Sequence, residues 1–313
     1  MSAPTILLWG LTGDSPLDEV HEALDAFGAN VFLLDQRRIL ESEIALSVDG
    51  SVSGELQVGA QRLDLDYVDG IYLRPYDTGQ VAAIHDYRPL ESAWRHALAF
   101  DDAVLSWVEV CEAQVVNRPS AMAPNNAKPL QLRAIRRAGF SIPQTLVTND
   151  AAAALDFRAR HGCVIYKSIS GMRSIVHRFD DTRLDRLGDL AACPTQFQQF
   201  IPGLEHRVHV VGDQLFACTV RSDADDYRYA DGDAFVQIDP CRLPPDVADR
   251  CLRMAAAMGL ALAGIDLRRT DKGEWFCFEV NPSPAFTYYE EATGQPITDA
   301  VARLLLTPAR RGV

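Results

Sequence analysis

The first thirty-five residues fix what the beginning of this chain can become. An apolar run, Ile6-Leu7-Leu8-Trp9, is followed by an amphipathic stretch from Pro16 to Phe27 that closes at Gly28, and then by a second apolar run, Val31 to Asp35. Short runs that are apolar throughout suit strands buried on both faces, and an intervening helix lets two such strands lie parallel. The pattern is a βαβ unit, so the N-terminal region is read as a layered α/β domain. At 313 residues the chain holds about two domains at roughly 150 residues each, and its 48% apolar content supplies packed cores.

The formal charge of −13 argues against nucleic acid or an anionic membrane as the main partner, because both are bound chiefly through Lys and Arg. It does not exclude an anionic ligand in a local basic pocket. The N-terminus has no basic segment before a long apolar run, and no run reaches membrane-spanning length. The seven cysteines form no Cys-x-x-Cys pair and several sit inside apolar patterns. They read as buried reduced thiols of a cytoplasmic protein.

Further along, Gly50 to Asp64 reads as a hairpin, Gly70 to Arg74 as a strand and Leu90 to Glu112 as a long helix. Asn117-Arg118-Pro119 punctuates the chain after Val115-Val116, and the first domain boundary is placed there. Helices are expected over Asn126–Ala138 and Ala151–Arg160, each closed by glycine, with strands at Thr145–Thr148 and Val164–Ser168. Residues 195–201 and 204–211 read as strands around Pro202-Gly203, and 214–221 pairs with the latter across Gly212-Asp213. A helix from Pro244 to Met258, strands at 262–267 and 274–280, and a final helix from Thr298 to Leu306 complete the pattern.

The chemistry concentrates in Phe276-Cys277-Phe278-Glu279-Val280-Asn281. Strand alternation puts Glu279 and Asn281 on one face and Phe276, Phe278 and Val280 on the other. Asp266, ending the apolar run from Leu260, could add a second carboxylate from a neighbouring strand. Three oxygen donors of this kind suit a hard cation such as Mg²⁺, which takes its remaining ligands from water and phosphates. A strand edge facing water is the plainer alternative for the Glu-x-Asn pair taken by itself. The chain has no Gly-x-x-x-x-Gly-Lys-Ser/Thr, Gly-x-Gly-x-x-Gly, Gly-x-Ser-x-Gly or His-Glu-x-x-His. His206 and His209, three apart on a strand, face opposite sides and read as ordinary strand histidines.

Lys128, Tyr166-Lys167, Gln198-Gln199-Phe200-Ile201, Glu205-x-Arg207, Asp266 and Glu279-x-Asn281 together resemble, in order and spacing, the nucleotide site of ATP-grasp enzymes. The resemblance covers roughly residues 117 to 306. Asn125 to Asn149 is most similar to the branch of ribosomal-protein glutamate ligases and graspetide macrocyclases. It implies a mixed α/β (α+β) ATP-grasp fold behind a Rossmann-like βαβ domain: residues 1–116 as the N-terminal domain, 117–195 as the small lid subdomain and 196–313 as the subdomain holding Mg-ATP.

It also implies roles. Lys128 and Lys167 reach phosphates, although a lysine at a helix start, as Lys128 is, is commonly exposed. The backbone of Gln199 and Ile201, with Gln198 and Phe200 beside them, receives adenine. Glu205 accepts from the ribose, and Asp266, Glu279 and Asn281 hold one or two Mg²⁺, with Mn²⁺ as a substitute. Arg207 and Arg221 serve phosphate or substrate, their fork matching either; an ion pair between Glu205 and Arg207 is the structural alternative. Ser170 and Gly171 lie in the loop expected over the phosphates. The acidic stretch 222–233 follows Arg221 and is a candidate to select an acceptor.

The implied reaction is ATP-dependent carboxylate–amine or carboxylate–alcohol ligation through an acyl phosphate, with ADP and phosphate released, on a peptide or amino-acid substrate. No protein nucleophile is required. A kinase phosphorylating a hydroxyl and a non-catalytic nucleotide- or peptide-binding module are the alternatives. Arg74, Tyr76 and Tyr288-Tyr289 are candidates to line an acceptor pocket, with a surface arginine the plainer reading of Arg74. A homodimer follows only from how common two-fold oligomers are.

Overall fold

A computed structural model describes residues 3–87, 91–169, 176–222 and 235–308. The N-terminal region runs β1 (Thr5–Gly10), α1 (Ser15–Ala26), β2 (Asn30–Asp35), β3 (Ser42–Val48), β4 (Val52–Val58), β5 (Gln61–Asp64), β6 (Gly70–Leu73), α2 (Ala82–His85), α3 (Ser92–Val110) and β7 (Gln114–Val116). The expected βαβ unit is present, with β1 parallel to β2 in a parallel sheet of order β2-β1-β6-β7. Because β1 is buried on both sides, its residues serve two cores. Leu7 and Trp9 join Phe100, Val104 and Trp107 of α3, while Ile6 and Leu8 join Leu17, Val20 and Leu24 of α1. The stretch read as a hairpin is one, β4 with β5, and β3 before it adds a third antiparallel strand.

After the short helix α4 (Pro119–Met122) come α5 (Lys128–Arg137), β8 (Thr145–Thr148), α6 (Ala151–His161), β9 (Val164–Ser168), β10 (His177–Arg178), a 3₁₀ stretch at Asp181–Ala192, and β11 (Thr195–Gln199). Strands β10-β9-β11-β8 form a small sheet whose one face buries Val164 and Phe197 against Ala154 and Phe157 of α6. Side chains at Lys167, Gln196, Gln198 and Thr145 alternate to the other face, because Gln196 is opposite Lys167 and Gln198 opposite Thr145.

The remaining elements are β12 (Leu204–Val211), β13 (Gln214–Ser222), β14 (Val236–Cys241), α7 (Pro245–Ala257), β15 (Leu262–Arg269), β16 (Trp275–Asn281), α8 (Thr287–Thr293) and α9 (Ile297–Leu305). The large antiparallel sheet has the order β14-β13-β12-β15-β16. Val208, Val210, Ile265, Leu267, Cys277 and Val280 pack against Val247, Cys251 and Met254 of α7 and Ile135 of α5. The opposite face carries the polar residues. Helix α9 leaves the large sheet's own core and packs Val301 and Leu305 with α1 and Tyr72 of β6, closing the second face of the N-terminal sheet.

One local expectation needs correction. The β15–β16 register shifts at Asp266/Leu267: Asp266 pairs with Glu279, Leu267 with Cys277 and Arg268 with Phe276. Phe278 is the extra residue of a β-bulge, so simple alternation fails across it. Cys277 and Val280 are both in the core, whereas Phe276 falls opposite Arg268 and Phe278 meets the Arg268 guanidinium.

Candidate active site

Register assembles the site. On the polar face of the large sheet, β12 presents Glu205, Arg207 and His209; opposite them β15 presents Arg268, Asp266 and Gly264; and β16 sets Glu279 beside Asp266 and Asn281 beside Gly264. Two tethers hold β16 in place. Gln131 of α5 donates from Nε2 to the Val280 carbonyl (2.8 Å) and accepts from the Val280 amide (3.3 Å), fixing the residue between Glu279 and Asn281. Asn117 donates from Nδ2 to the carbonyls of Leu262 (2.7 Å) and Pro282 (2.6 Å), and its Oδ1 accepts from the amides of Ala261 and Leu262.

The carboxylates face cations from three elements. Lys128, at the start of α5, is only 7% exposed and pairs with Oε1 of Glu279. The alternative of an exposed helix-start lysine is thereby overturned: α5 packs against β16 and carries Lys128 inward. Lys167, reaching across from the small sheet, stands 3.7 Å from Oε2 of the same carboxylate. Arg207 donates from Nη1 to Oδ1 of Asp266 at 2.5 Å. Its Nε donates to Nε2 of His209 (3.2 Å), and its guanidinium lies 5.4 Å from the Tyr289 ring centre. Burial, with Arg207 adding to it, pushes the His209 pKa well below 6.5, so the ring is neutral and accepts this hydrogen bond. The Glu205–Arg207 ion pair held as the alternative is not what forms among the described contacts. Glu205 pairs with Arg268 (3.1 Å) and Arg207 with Asp266.

Gly264 makes room for this arrangement. A Cβ there would stand 2.2 Å from Nη2 of Arg207 and 2.7 Å from Cβ of Pro284. Asn281 turns its Oδ1 to the Ser283 amide (2.9 Å), shaping the turn after β16.

The nucleotide-side residues divide. Gln198 is buried and donates to the Thr145 hydroxyl (3.1 Å). The Gln199 amide donates to the Gln144 carbonyl, so that amide is already used within the small sheet, and the Phe200 amide is taken by the Cys163 carbonyl. Phe200, Leu204, Glu205, Val220 and Arg268 line a cleft just beyond this crossing strand. Ile201 is buried, its carbonyl accepting from Arg268 (2.9 Å). Arg221 borders the rim of the same cleft but pairs with Asp239 (3.2 Å), is half exposed, and alternates away from Val220, the residue opposite Glu205. Ser170, Gly171 and the acidic residues 223–233 lie outside the described residues.

Two residues were missed in the sequence. Gln196, 2% exposed, lies opposite Lys167 on the same face of the small sheet, and its Oε1 has no hydrogen-bond partner among the described residues. Arg268, two residues past Asp266 on one strand face, could have been found by the same period of two that paired Glu279 with Asn281. Arg74 is not the surface residue of the plainer reading. Its side chain is only 9% exposed, pairs with Asp14, and donates to Ser283 Oγ and the Pro284 carbonyl, both at 3.1 Å. Tyr289 is buried, whereas Tyr76 and Tyr288 are exposed.

The donor set is all oxygen, with two carboxylates and one amide on adjacent strands. Among the described residues no group of three or more His, Cys, Asp and Glu side chains forms a self-sufficient metal cage. That combination fits an ion that brings phosphate oxygens with it, and three cations stand by the carboxylates to meet those phosphates.

Comparison with known proteins agrees. Residues 126–305 match the RimK-like ATP-grasp domain. A probable alpha-L-glutamate ligase 2 of Shewanella denitrificans is 27% identical over 221 residues, 66% of this chain and 71% of the relative. The macrocyclase MdnC of Microcystis aeruginosa, solved with its precursor peptide MdnA, superposes with a TM-score of 0.82 at 25% identity, over 96% of this chain and 99% of MdnC. The ATP-grasp ligase PsnB, solved with a phosphomimetic variant of its minimal precursor, Mg and ADP, gives 0.81 at 28% identity over 97% and 99%. The chain belongs to the RimK-like ATP-grasp family. Within that family it is an ATP-dependent ligase.

Proposed function

We propose that this chain uses Mg-ATP to join a side-chain carboxylate of a peptide to an amine or hydroxyl, releasing ADP and phosphate. The observation that carries the proposal is the double engagement of Glu279 by Lys128 and Lys167, next to the Asp266–Arg207 pair. Two carboxylates neutralised by cations from α5, the small sheet and β12 form a site that can exchange partners. With a nucleotide bound, Lys128 and Lys167 would pair with phosphate oxygens, leaving the Glu279 carboxylate for a metal ion. When bound, Mg²⁺, or Mn²⁺ in its place, supplies neutralisation of the phosphate charge; Asp266, Glu279 and Asn281 would hold it.

Arg207, held by Asp266 and the neutral His209, presents a planar guanidinium whose geometry matches a phosphoryl group or a substrate carboxylate. The reacting carboxylate attacks the γ-phosphorus, the β–γ bridging bond breaks, and ADP leaves. The acceptor's nucleophile then opens the acyl phosphate, releasing phosphate and its own proton. Positioning and charge neutralisation carry both steps. In this proposal residues 117–195 form the lid, 196–313 the Mg-ATP subdomain and 1–116 the N-terminal domain, in a cytoplasmic protein. The peptide class is supported by solved relatives crystallised with precursor peptides.

The test is ADP release by purified protein with Mg-ATP and a library of acidic peptides, read with mass spectrometry for loss of water from the peptide. Wild type should give both, and Glu279→Gln should lower turnover by at least about a hundredfold. Stable phosphopeptides without condensation would move the activity to a kinase. No ADP with any peptide or amino acid would defeat the proposal.

A further inference from the structure

Arg268 stands where the nucleoside end of the cleft is built. It lies on β15, two residues beyond Asp266 and on the same face. Its Nη1 donates to the Ile201 carbonyl at 2.9 Å and its Nη2 to Oε2 of Glu205 at 3.1 Å. The guanidinium carbon is 5.7 Å from the centre of the Phe200 ring and 5.1 Å from that of Phe278. Phe278 is free to meet it because the bulge at Asp266/Leu267 releases that ring from the core face. Nε is buried with no hydrogen-bond partner among the described residues, so the group is held by its two Nη contacts and the rings.

These contacts join three parts of the molecule at one side chain. Ile201 follows the last strand of the small sheet, Glu205 opens the large sheet, and Phe278 borders the magnesium-side pair Glu279 and Asn281. We propose that Arg268 is the positioning residue of the nucleoside half of the site: it fixes the crossing segment at Ile201 and the carboxylate of Glu205 so that base and ribose find their partners in place. The inference rests on the nucleotide site described above. A carbonyl oxygen offers two lone pairs and a carboxylate about four, so each acceptor has more capacity than Arg268 uses. The cation orients the Glu205 carboxylate as an acceptor for hydroxyl donors. Arginine suits this place because a flat guanidinium donates in its plane while its faces lie against rings; lysine offers a point charge and no face. Phosphate contacts belong to Lys128, Lys167 and Arg207 instead, so Arg268 acts on the nucleoside alone.

That division gives the experiment. Binding of Mg-ADP and of Mg-tripolyphosphate, which has no nucleoside, is measured by calorimetry on the full chain for wild type, Arg268→Met, Arg268→Lys, Glu205→Gln and the Arg268→Met/Glu205→Gln double variant, with melting temperatures alongside. Arg268→Met is expected to weaken Mg-ADP about tenfold or more while tripolyphosphate stays within about twofold. Arg268→Lys recovers only part of the loss. The double variant binds Mg-ADP no more than about twofold worse than the weaker single variant, because the two residues act as one unit.

Unchanged or tighter Mg-ADP binding in Arg268→Met overturns the inference, the tighter case marking Arg268 as a plug. Equal loss of both ligands with a lowered melting temperature also overturns it, leaving a structural residue only. If wild type binds tripolyphosphate but not Mg-ADP, or binds neither, the nucleotide site itself fails and the inference with it. Tight wild-type binding that Arg268→Met leaves untouched sinks the inference alone.

Discussion

At the residue scale the site is a set of local decisions about space and protonation. Gly264 is small because Arg207 crosses over it: Gly264→Ala should push the guanidinium off Asp266 and cost about 1–3 kcal/mol of stability from overpacking. Urea unfolding together with ADP release checks this, and a variant matching wild type in both would show that Arg207 has another route. His209 carries a sign that can be worked out. Its folded pKa lies below 6.5, so as pH falls through 6.5 the unfolded chain takes up a proton that the fold refuses. Stability conferred above that pH is therefore lost on acidification, by at most about 1.4 kcal/mol per pH unit for this group. His206, with its pKa also lowered by burial, adds in the same direction. Unfolding midpoints between about pH 5.5 and 7.5 should fall more steeply for wild type than for His209→Gln; parallel curves would remove His209 from the account.

At the element scale, strands of the site are held by side chains from elsewhere in the chain. Asn117 closes the end of the N-terminal sheet against the start of β15 and the residue after β16, satisfying backbone groups in a buried place. Asn117→Ala leaves those groups unmet and is expected to cost about 2–4 kcal/mol, read from urea midpoints. A loss under about 0.5 kcal/mol, the scale of ordinary surface changes, would mean that water replaces the side chain. The bulge in β16 shows where strand-level reasoning stops. Alternation correctly joined Glu279 to Asn281, since no register shift separates them. It failed for Phe276 and Phe278, since a bulge depends on the partner strand, and nothing within the segment announces it.

At the scale of the whole molecule, the N-terminal sheet and the site are mechanically joined. Arg74, leaving β6, packs against Asp14 with little exposure and bonds the Ser283–Pro284 turn that follows Asn281. Arg74→Met strands the Asp14 carboxylate and is expected to cost about 3–5 kcal/mol. Adding Asp14→Asn should return part of that loss in the same urea series, and a double variant no better than the single would show that the turn contacts carry the effect. Helix α9 adds a second join, since its apolar face fills the N-terminal sheet rather than the core of the strands nearest in sequence. No helix among the described residues is long and apolar enough to cross a membrane.

By itself the sequence determined the βαβ opening, most of the elements and the grouping of Asp266, Glu279 and Asn281 on one sheet face, because those follow from period, punctuation and residue chemistry along a short stretch. Tertiary structure alone decided which neighbours share a face across strands. It turned Lys128 inward, sent Arg221 to Asp239, drew Arg74 against Asp14, brought Arg268 to the cleft and set Gln196 beside Lys167. It also placed the adjacent strands β11 and β12 in different sheets, so that a cleft opens between them. Pairing over long separations rests on the combined burial of many side chains, and that sum is fixed only when the whole chain has packed.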